Sequence, residues 1–255
     1  MDTVEREKKL SPQQKGFKKM IIKVFDRYVM IIDVETANSV SQPLPYDIGW
    51  IVLDTVTGEI VRQYSYAVAE IFYDHELMSS AYYAKKLPKY KEEIANGTRI
   101  VKGFCNIQKE IRACMEEFNI KQVGAYNCNF DRRAMNNDSR FITSSLKRWA
   151  FPYGTEFFDI WQMACTSFLR SKWFINWAIK NGHVSPAGNI RTTAEVAYQY
   201  IIKYTGFEEE HIGLQDVLIE AEIFLHVIWG RMKYSTELKS QPWRTVQKYR
   251  KAFAV

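Results

Sequence analysis

Residues 28–36 read YVMIIDVET, an apolar and β-branched run that ends in two carboxylates. The run from Tyr28 to Val34 is short and apolar, which predicts a buried central strand. Residues two positions apart in a strand point to the same side, so Asp33 and Glu35 are predicted neighbours. Two carboxylates this close repel each other unless a positive charge lies between them, and a divalent cation prefers oxygen ligands. The run therefore predicts a cation site, with a solvated strand end as the alternative that this motif alone leaves open.

The composition is that of a folded protein with a basic surface. Of the 255 residues, 47% are hydrophobic and 25% are charged, and the formal net charge is +6. A chain of this size can bury a full core, as one large domain with extensions or as two small domains. The positive charge favours a polyanionic partner. The four cysteines are widely spaced without a CxxC pair, which argues against a disulfide framework or a zinc site and for reduced thiols.

The two ends of the sequence are basic. The N-terminal segment is charged and lacks the apolar core of a signal peptide, and no apolar run reaches membrane-spanning length. We therefore expect a cytoplasmic protein without a membrane partner. Residues 1–27 are interpreted as a basic N-terminal extension and residues 233–255 as a basic C-terminal tail, and either end offers a surface to a protein partner.

The middle of the chain predicts strands first and then alternating helices and strands. The runs DIGWIVLD and EIVRQYSYAV predict a hairpin that turns at Gly58. The stretch from His75 to Thr98 is predicted to be partly helical and broken near Pro88. Thr192 and Glu195 fit a capping box. Further predictions are a helix over 105–118, a strand over 121–126, a helix from 129, a strand over 156–159 and a long helix after Gly206 that begins just past His211, whereas 171–190 stays unassigned.

Three more polar residues lie where predicted elements begin. Asp131 follows a strand and opens a helix, and His211 and Asp216 flank the start of the long helix. Each has a simple structural explanation, because an acid near a helix N-terminus is favourable and a histidine is often a surface residue. Taken singly, these residues leave the structural and the functional interpretations open.

Taken together, the motifs DxE, NxxFD and HxxxxD occur in an order that resembles the DEDDh group of 3′-to-5′ exonucleases. The resemblance spans roughly Tyr28 to Met232 and includes the hairpin and the strand that ends at Asp159. It implies an α/β, ribonuclease H-like fold, a mixed five-stranded sheet flanked by helices, in a domain over 28–232 with an insertion at about 171–190. It also implies hydrolysis of single-stranded DNA or RNA from the 3′ end, with release of nucleoside 5′-monophosphates.

The resemblance also implies roles for individual residues. Asp33, Glu35, Asp131 and Asp216 would hold two Mg²⁺ or Mn²⁺ ions, and His211 would take the proton of the attacking water in its neutral form. Carboxylates nearby would raise the pKa of His211, and bound cations would oppose that rise. The expected substrate-binding residues are Thr36, Asn127, Arg132 and Arg133.

A different class of function remains open from the sequence. A nucleic-acid-binding or scaffold module with the same fold and no turnover would retain the same pattern of elements. A nuclease directed against host or competitor nucleic acid would share the chemistry and differ only in biology. The choice between DNA and RNA depends on contacts to the 2′-hydroxyl, which the sequence does not place.

Overall fold

The computed structural model describes residues 25–81, 84–144, 146 and 148–246. The predicted N-terminal extension lies outside these residues up to position 24, and the predicted C-terminal tail lies outside them from position 247. The described part of the tail packs on the domain, since Tyr234 and Val246 are buried in its core. Within the described ranges, no helix combines the length and apolarity needed to cross a membrane.

A mixed sheet organises the described chain. Its strands are β1 (Tyr28–Ala37), β2 (Leu44–Asp54), β3 (Ile60–Val68), β4 (Ile100–Lys102), β5 (Gln122–Ala125) and β6 (Glu156–Asp159). Their order is β4-β3-β2-β1-β5-β6, and β1 runs antiparallel to β2 and parallel to β5. The predicted α/β fold is confirmed, with six strands in the described chain where five were expected. The additional strand is the edge strand β4, whose three residues are too few to produce a periodic pattern.

Helices cover both faces of the sheet. They are α1 (Ala69–Phe72), α2 (His75–Ser79), α3 (Leu87–Ala95), α4 (Phe104–Glu117), α5 (Cys128–Phe141), α6 (Ile160–Thr166), α7 (Lys172–Lys180), α8 (Ala194–Ile202) and α9 (Gly213–Trp229), with 3₁₀ turns at Ala84–Lys86 and Pro242–Thr245. Alternate side chains of a strand point to opposite faces, and β1 follows this rule. Met30 and Ile32 belong to the core under α4 and α5, whereas Val29 and Ile31 belong to the core under α6, α8 and α9.

Two local predictions were wrong in detail, and one segment had no prediction. Pro88 lies in the first turn of α3, where its missing N–H costs nothing, so it begins a helix instead of breaking one. The N-cap of α8 is Thr193, whose side chain accepts a hydrogen bond from the Val196 backbone N–H, so the capping box at Thr192 is wrong by one residue. The unassigned segment 171–190 contains α7 and an isolated β-bridge between Val184 and Ile190.

Candidate active site

The end of β1 places its two acids toward α9. Asp33 and Glu35 continue the face of β1 that carries Val29 and Ile31, and that face packs against α9. The register with β2 sets Asp33 opposite Gly49 and Glu35 opposite Asp47. The pairing shifts between Glu35 and Thr36, where a bulge ends the regular ladder. Both acids therefore lie at a strand end that opens beside a helix.

A close glycine contact brings α9 to this strand end. A Cβ atom on Gly49 would lie 2.1 Å from the Leu214 backbone nitrogen, and one on Gly213 would lie 2.8 Å from the Gly49 nitrogen. Neither position has room for a side chain, because the obstructing atoms belong to the backbone. The first turn of α9 consequently lies directly on β2, and Asp216 in that turn is carried to the acids of β1.

A buried ion pair fixes the same contact. Arg99 pairs with Asp47, and both side chains are 1% exposed. The second oxygen of Asp47 accepts hydrogen bonds from the Tyr90 hydroxyl at 2.9 Å and from the Gly213 backbone N–H at 3.0 Å. A buried carboxylate needs such partners to offset its desolvation. Asp47 thus has three partners that were not predicted, and its hydrogen bond with Gly213 ties the start of α9 to β2.

Asp131 reaches the site from the neighbouring strand. β5 lies parallel to β1, and the chain leaves it through Asn127 in a left-handed conformation (φ 72°) to begin α5. Asp131 is in the first turn of α5 and is 2% exposed. Burial, and then the charge of Asp33, raise its pKa well above the usual range. The predicted acids of three separated segments therefore form one interacting group.

The acids border a cavity of about 520 Å³. Asp33, Glu35, His211 and Asp216 line it, and Asp131 lies behind them, buried beside Asp33. Ligand atoms of Glu35, His211 and Asp216 lie within 4.8 Å of one another. A set of carboxylates and one imidazole at this spacing has the chemistry that a hard divalent cation requires.

The carboxylates perturb one another strongly. Burial, with Glu209 and Asp47 nearby, raises the pKa of Asp33 to about 8. Burial, and Asp33 as the strongest neighbouring charge, raise the pKa of both Glu35 and Asp216 to about 10. One oxygen of Asp216 is buried without a hydrogen-bond partner in the described chain. Divalent cations would reduce the repulsion among the carboxylates and give the Asp216 oxygen a partner. These residues therefore fit the ions that the sequence implied.

His211 adjoins this group in an unusual backbone conformation. Its φ is 51°, and its Nδ1 lies 3.9 Å from a carboxylate oxygen of Glu209. Burial, followed by the charge of Lys86, lowers its pKa, and Glu195 opposes this effect. The prediction that carboxylates raise this pKa was therefore wrong. Burial and the positive charges of Lys86 and Lys85 outweigh the effect of Glu195.

The predicted substrate-binding residues lie in three different places. Asn127 lines the cavity, whereas Thr36 is half-buried at the bulge and is not among the described residues that border it. Arg132 and Arg133 point along α5 into a separate groove of about 560 Å³. The Arg132 guanidinium stacks on Phe157, and that of Arg133 donates a hydrogen bond to the Val40 carbonyl at 3.0 Å.

Several residues of the cavity were missed by sequence reasoning. The half-buried Glu209 and the buried Glu220 add two carboxylates, and the wall opposite β1 is built by the loop before α8. Thr192 holds that wall, since its carbonyl accepts from the Tyr126 hydroxyl and its side chain accepts from the Trp161 indole. The signal for Glu220 was available, because it lies one helical turn after Asp216 on a helix whose periodicity was clear. The wall had no such signal.

Comparison with known proteins gives structural likenesses only. No family model and no curated protein matches the sequence. The chain is similar to the nuclease domain of 3′hExo, a DEDDh family member solved with rAMP, with a TM-score of 0.51 at 14% identity over 83% of this chain and 96% of that one. It is also similar to a 3′-exonuclease in a structure of 3′-end specific recognition of a histone mRNA stem-loop, with a TM-score of 0.57 at 12% identity over 84% and 87% of the two chains.

A full-length 3′-exonuclease gives a TM-score of 0.50 at 14% identity over 83% of this chain and 63% of that chain. At these identities the likeness establishes the fold. The protein has the fold of the DEDDh-type 3′ exonucleases, as the order of its motifs predicted.

Proposed function

We propose that this protein is a metal-dependent 3′-to-5′ exonuclease. The observation that carries the proposal is the convergence of three distant segments, since Asp33, Glu35, His211 and Asp216 line one cavity and Asp131 is buried beside Asp33. A structural explanation for each residue alone does not account for their meeting. Burying this many acids together is unfavourable unless the site serves a cationic ligand.

The chemistry follows from the donor set. Bound Mg²⁺ or Mn²⁺ ions would supply an acidified water and positive charge at the scissile phosphate. Asp33, Glu35, Asp131 and Asp216 provide the oxygens that hold such ions. The lowered pKa of His211 favours its neutral form, in which a ring nitrogen can accept the proton of the attacking water.

A basic groove along α5 supports a nucleic-acid substrate. One face of α5 lines the groove, through side chains spaced three and four residues apart. The lining residues are Asn129, Arg132, Arg133, Asn136, Asn137 and Arg140 of α5, together with Arg148 and Trp149 after the helix. Trp149 is 63% exposed. Cationic side chains bind phosphates and exposed aromatic faces stack bases, which is the combination that single strands require. We infer that the strand upstream of its 3′ end lies in this groove.

The groove assignment is tested by the salt dependence of binding. Each phosphate contact to a single strand contributes about 0.7 to the slope of log affinity against log salt. Replacing Arg132 and Arg140 with Gln should weaken binding and flatten that slope, whereas Lys180→Gln at the exposed end of α7 should change neither. An unaltered slope in the double variant would place the strand elsewhere.

The activity itself is tested with 5′-labelled single-stranded DNA and RNA of matched sequence, incubated with Mg²⁺. Stepwise shortening from the 3′ end, with nucleoside 5′-monophosphates released, is expected for the wild-type chain and lost in Asp131→Asn. Asp138→Asn is the matched control, since Asp138 is buried in the same helix and the neighbouring acid that acts on it is Glu70, not Asp33. Retention of full-length oligonucleotide by the wild-type chain would instead identify a binding module without turnover.

A further inference from the structure

Glu220 is a buried carboxylate that lines the same cavity as Asp33, Glu35 and Asp216. It lies on α9 four positions after Asp216, so both side chains project from one face of the helix. It is 3% exposed and is one of the residues that line the cavity. Its neighbours along the buried face of α9, such as Val217 and Phe224, are apolar. A carboxylate at this position therefore needs an explanation beyond packing.

The hydrogen bonds of Glu220 leave one oxygen without a partner. The Tyr126 backbone N–H donates a hydrogen bond to the carboxylate. The other oxygen, Oε2, is buried and has no hydrogen-bond partner in the described chain. A buried acceptor left in this way costs free energy, and the cost is larger if the group is charged. A ligand in the cavity would remove that cost.

The charges that most affect Glu220 identify the kind of ligand. Asp33, Asp131 and Asp216 are the neighbours that act on it, and all three are acids. The site therefore repels anions and has oxygen atoms to offer a cation. An uncharged ligand would leave the repulsion among these carboxylates unchanged, whereas a divalent cation relieves it.

We propose that Glu220 is a fifth carboxylate of the cation site, with Oε2 binding a divalent ion directly or through a water on that ion. This inference rests on the proposed function for the presence of divalent ions. It adds a ligand from α9 beyond the four acids of the motifs. The competing structural explanation is a protonated Glu220 that serves only as a hydrogen-bond donor inside the acid cluster.

Glutamine distinguishes the two explanations, because it keeps the shape and the donor capacity but has no negative charge. Mn²⁺ binding to the full chain is measured by calorimetry and by electron paramagnetic resonance for wild type, Glu220→Gln and Glu222→Gln. Glu222 is the matched control, since it is exposed on the same helix. We expect Glu220→Gln to weaken Mn²⁺ binding by about 10- to 100-fold and Glu222→Gln to leave it unchanged.

Two further measurements make each outcome decisive. The unfolding temperature of Glu220→Gln in EDTA should equal or exceed that of wild type, which shows that a loss of Mn²⁺ affinity is not a loss of fold. Glu220→Leu provides a second variant and should show the same loss of affinity. Wild-type affinity in Glu220→Gln would overturn the role of Glu220 alone, whereas a wild-type chain that binds no Mn²⁺ would overturn this inference and the proposed function together.

Discussion

Replacing Asp33 with Asn should stabilise the protein when divalent ions are removed. Burial and the neighbouring acids Glu209 and Asp47 raise the pKa of Asp33 to about 8. In an unfolded chain the pKa of an aspartate is about 3.9. The folded state therefore holds a proton on Asp33 that the unfolded state releases. Asparagine has the same shape and carries no charge at any pH, so it escapes this effect.

The magnitude follows from linkage. Between pH 3.9 and 7 the unfolded chain loses a proton that the folded chain keeps, and each pH unit costs about 1.4 kcal/mol of unfolding free energy. At pH 7 the wild-type chain is destabilised by up to about 4 kcal/mol through this residue. Below pH 4 the raised pKa of Asp33 does not lower the unfolding free energy of the wild-type chain. Above pH 4 the loss of unfolding free energy grows with pH until the pH passes the folded-state pKa near 8. The difference in unfolding free energy between Asp33→Asn and wild type should therefore be near zero at pH 4 and grow toward pH 8.

The assay is urea unfolding in EDTA at pH 4.5 and pH 7, followed by the fluorescence of the seven tryptophans. Asp26→Asn is the control, since Asp26 is exposed and should behave as wild type. Adding Mg²⁺ at pH 7 should reverse the order of stability, because wild type gains a bound ion and the variant binds it poorly. An Asp33→Asn variant that is no more stable than wild type in EDTA at pH 7 would refute the reasoning.

Three other changes test the site and its support. Arg99→Met leaves Asp47 buried without its partner and should cost about 3–5 kcal/mol of unfolding free energy in urea, so a loss below about 1 kcal/mol would contradict the ion pair. Gly49→Ala forces a Cβ against the Leu214 backbone and should slow cleavage and lower the unfolding free energy by about 1–3 kcal/mol. Wild-type cleavage and stability in this variant would contradict the contact between β2 and α9. His211→Gln should slow cleavage by about 10²- to 10⁴-fold, keep Mn²⁺ binding and abolish the rise in rate across mildly acidic pH; a wild-type pH profile would assign the proton transfer to another group.

The sequence predicted the parts of the fold that have a strong local pattern. The run YVMIIDV is buried as β1, and the hairpin and the long helix α9 lie close to their predicted positions. The start of β2 was missed, because Pro43 and Pro45 are typical of a loop, yet Pro45 pairs with Thr36 at a bulge. β4 was missed because three residues give no period.

The acids of the candidate site could be predicted from the sequence, whereas the residues that support and surround them could not. Spacing within a motif is local, so the DxE pair and the His211–Asp216 pair could be recognised. The ion pair of Asp47 with Arg99 joins residues 52 positions apart and leaves no pattern in the sequence. The cavity wall near Thr192 depends on tertiary hydrogen bonds in the same way. The direction of the His211 pKa was missed because it depends on burial and on Lys86, which only the fold brings close.

Crystals of the protein grown with Mn²⁺ and measured for anomalous scattering test the central claim most directly. We predict two manganese peaks inside the cavity, within coordination distance of oxygens from Asp33, Glu35 and Asp216. A cavity without manganese at saturating concentration, or peaks confined to the protein surface, would contradict the claim that these acids converge to hold divalent cations.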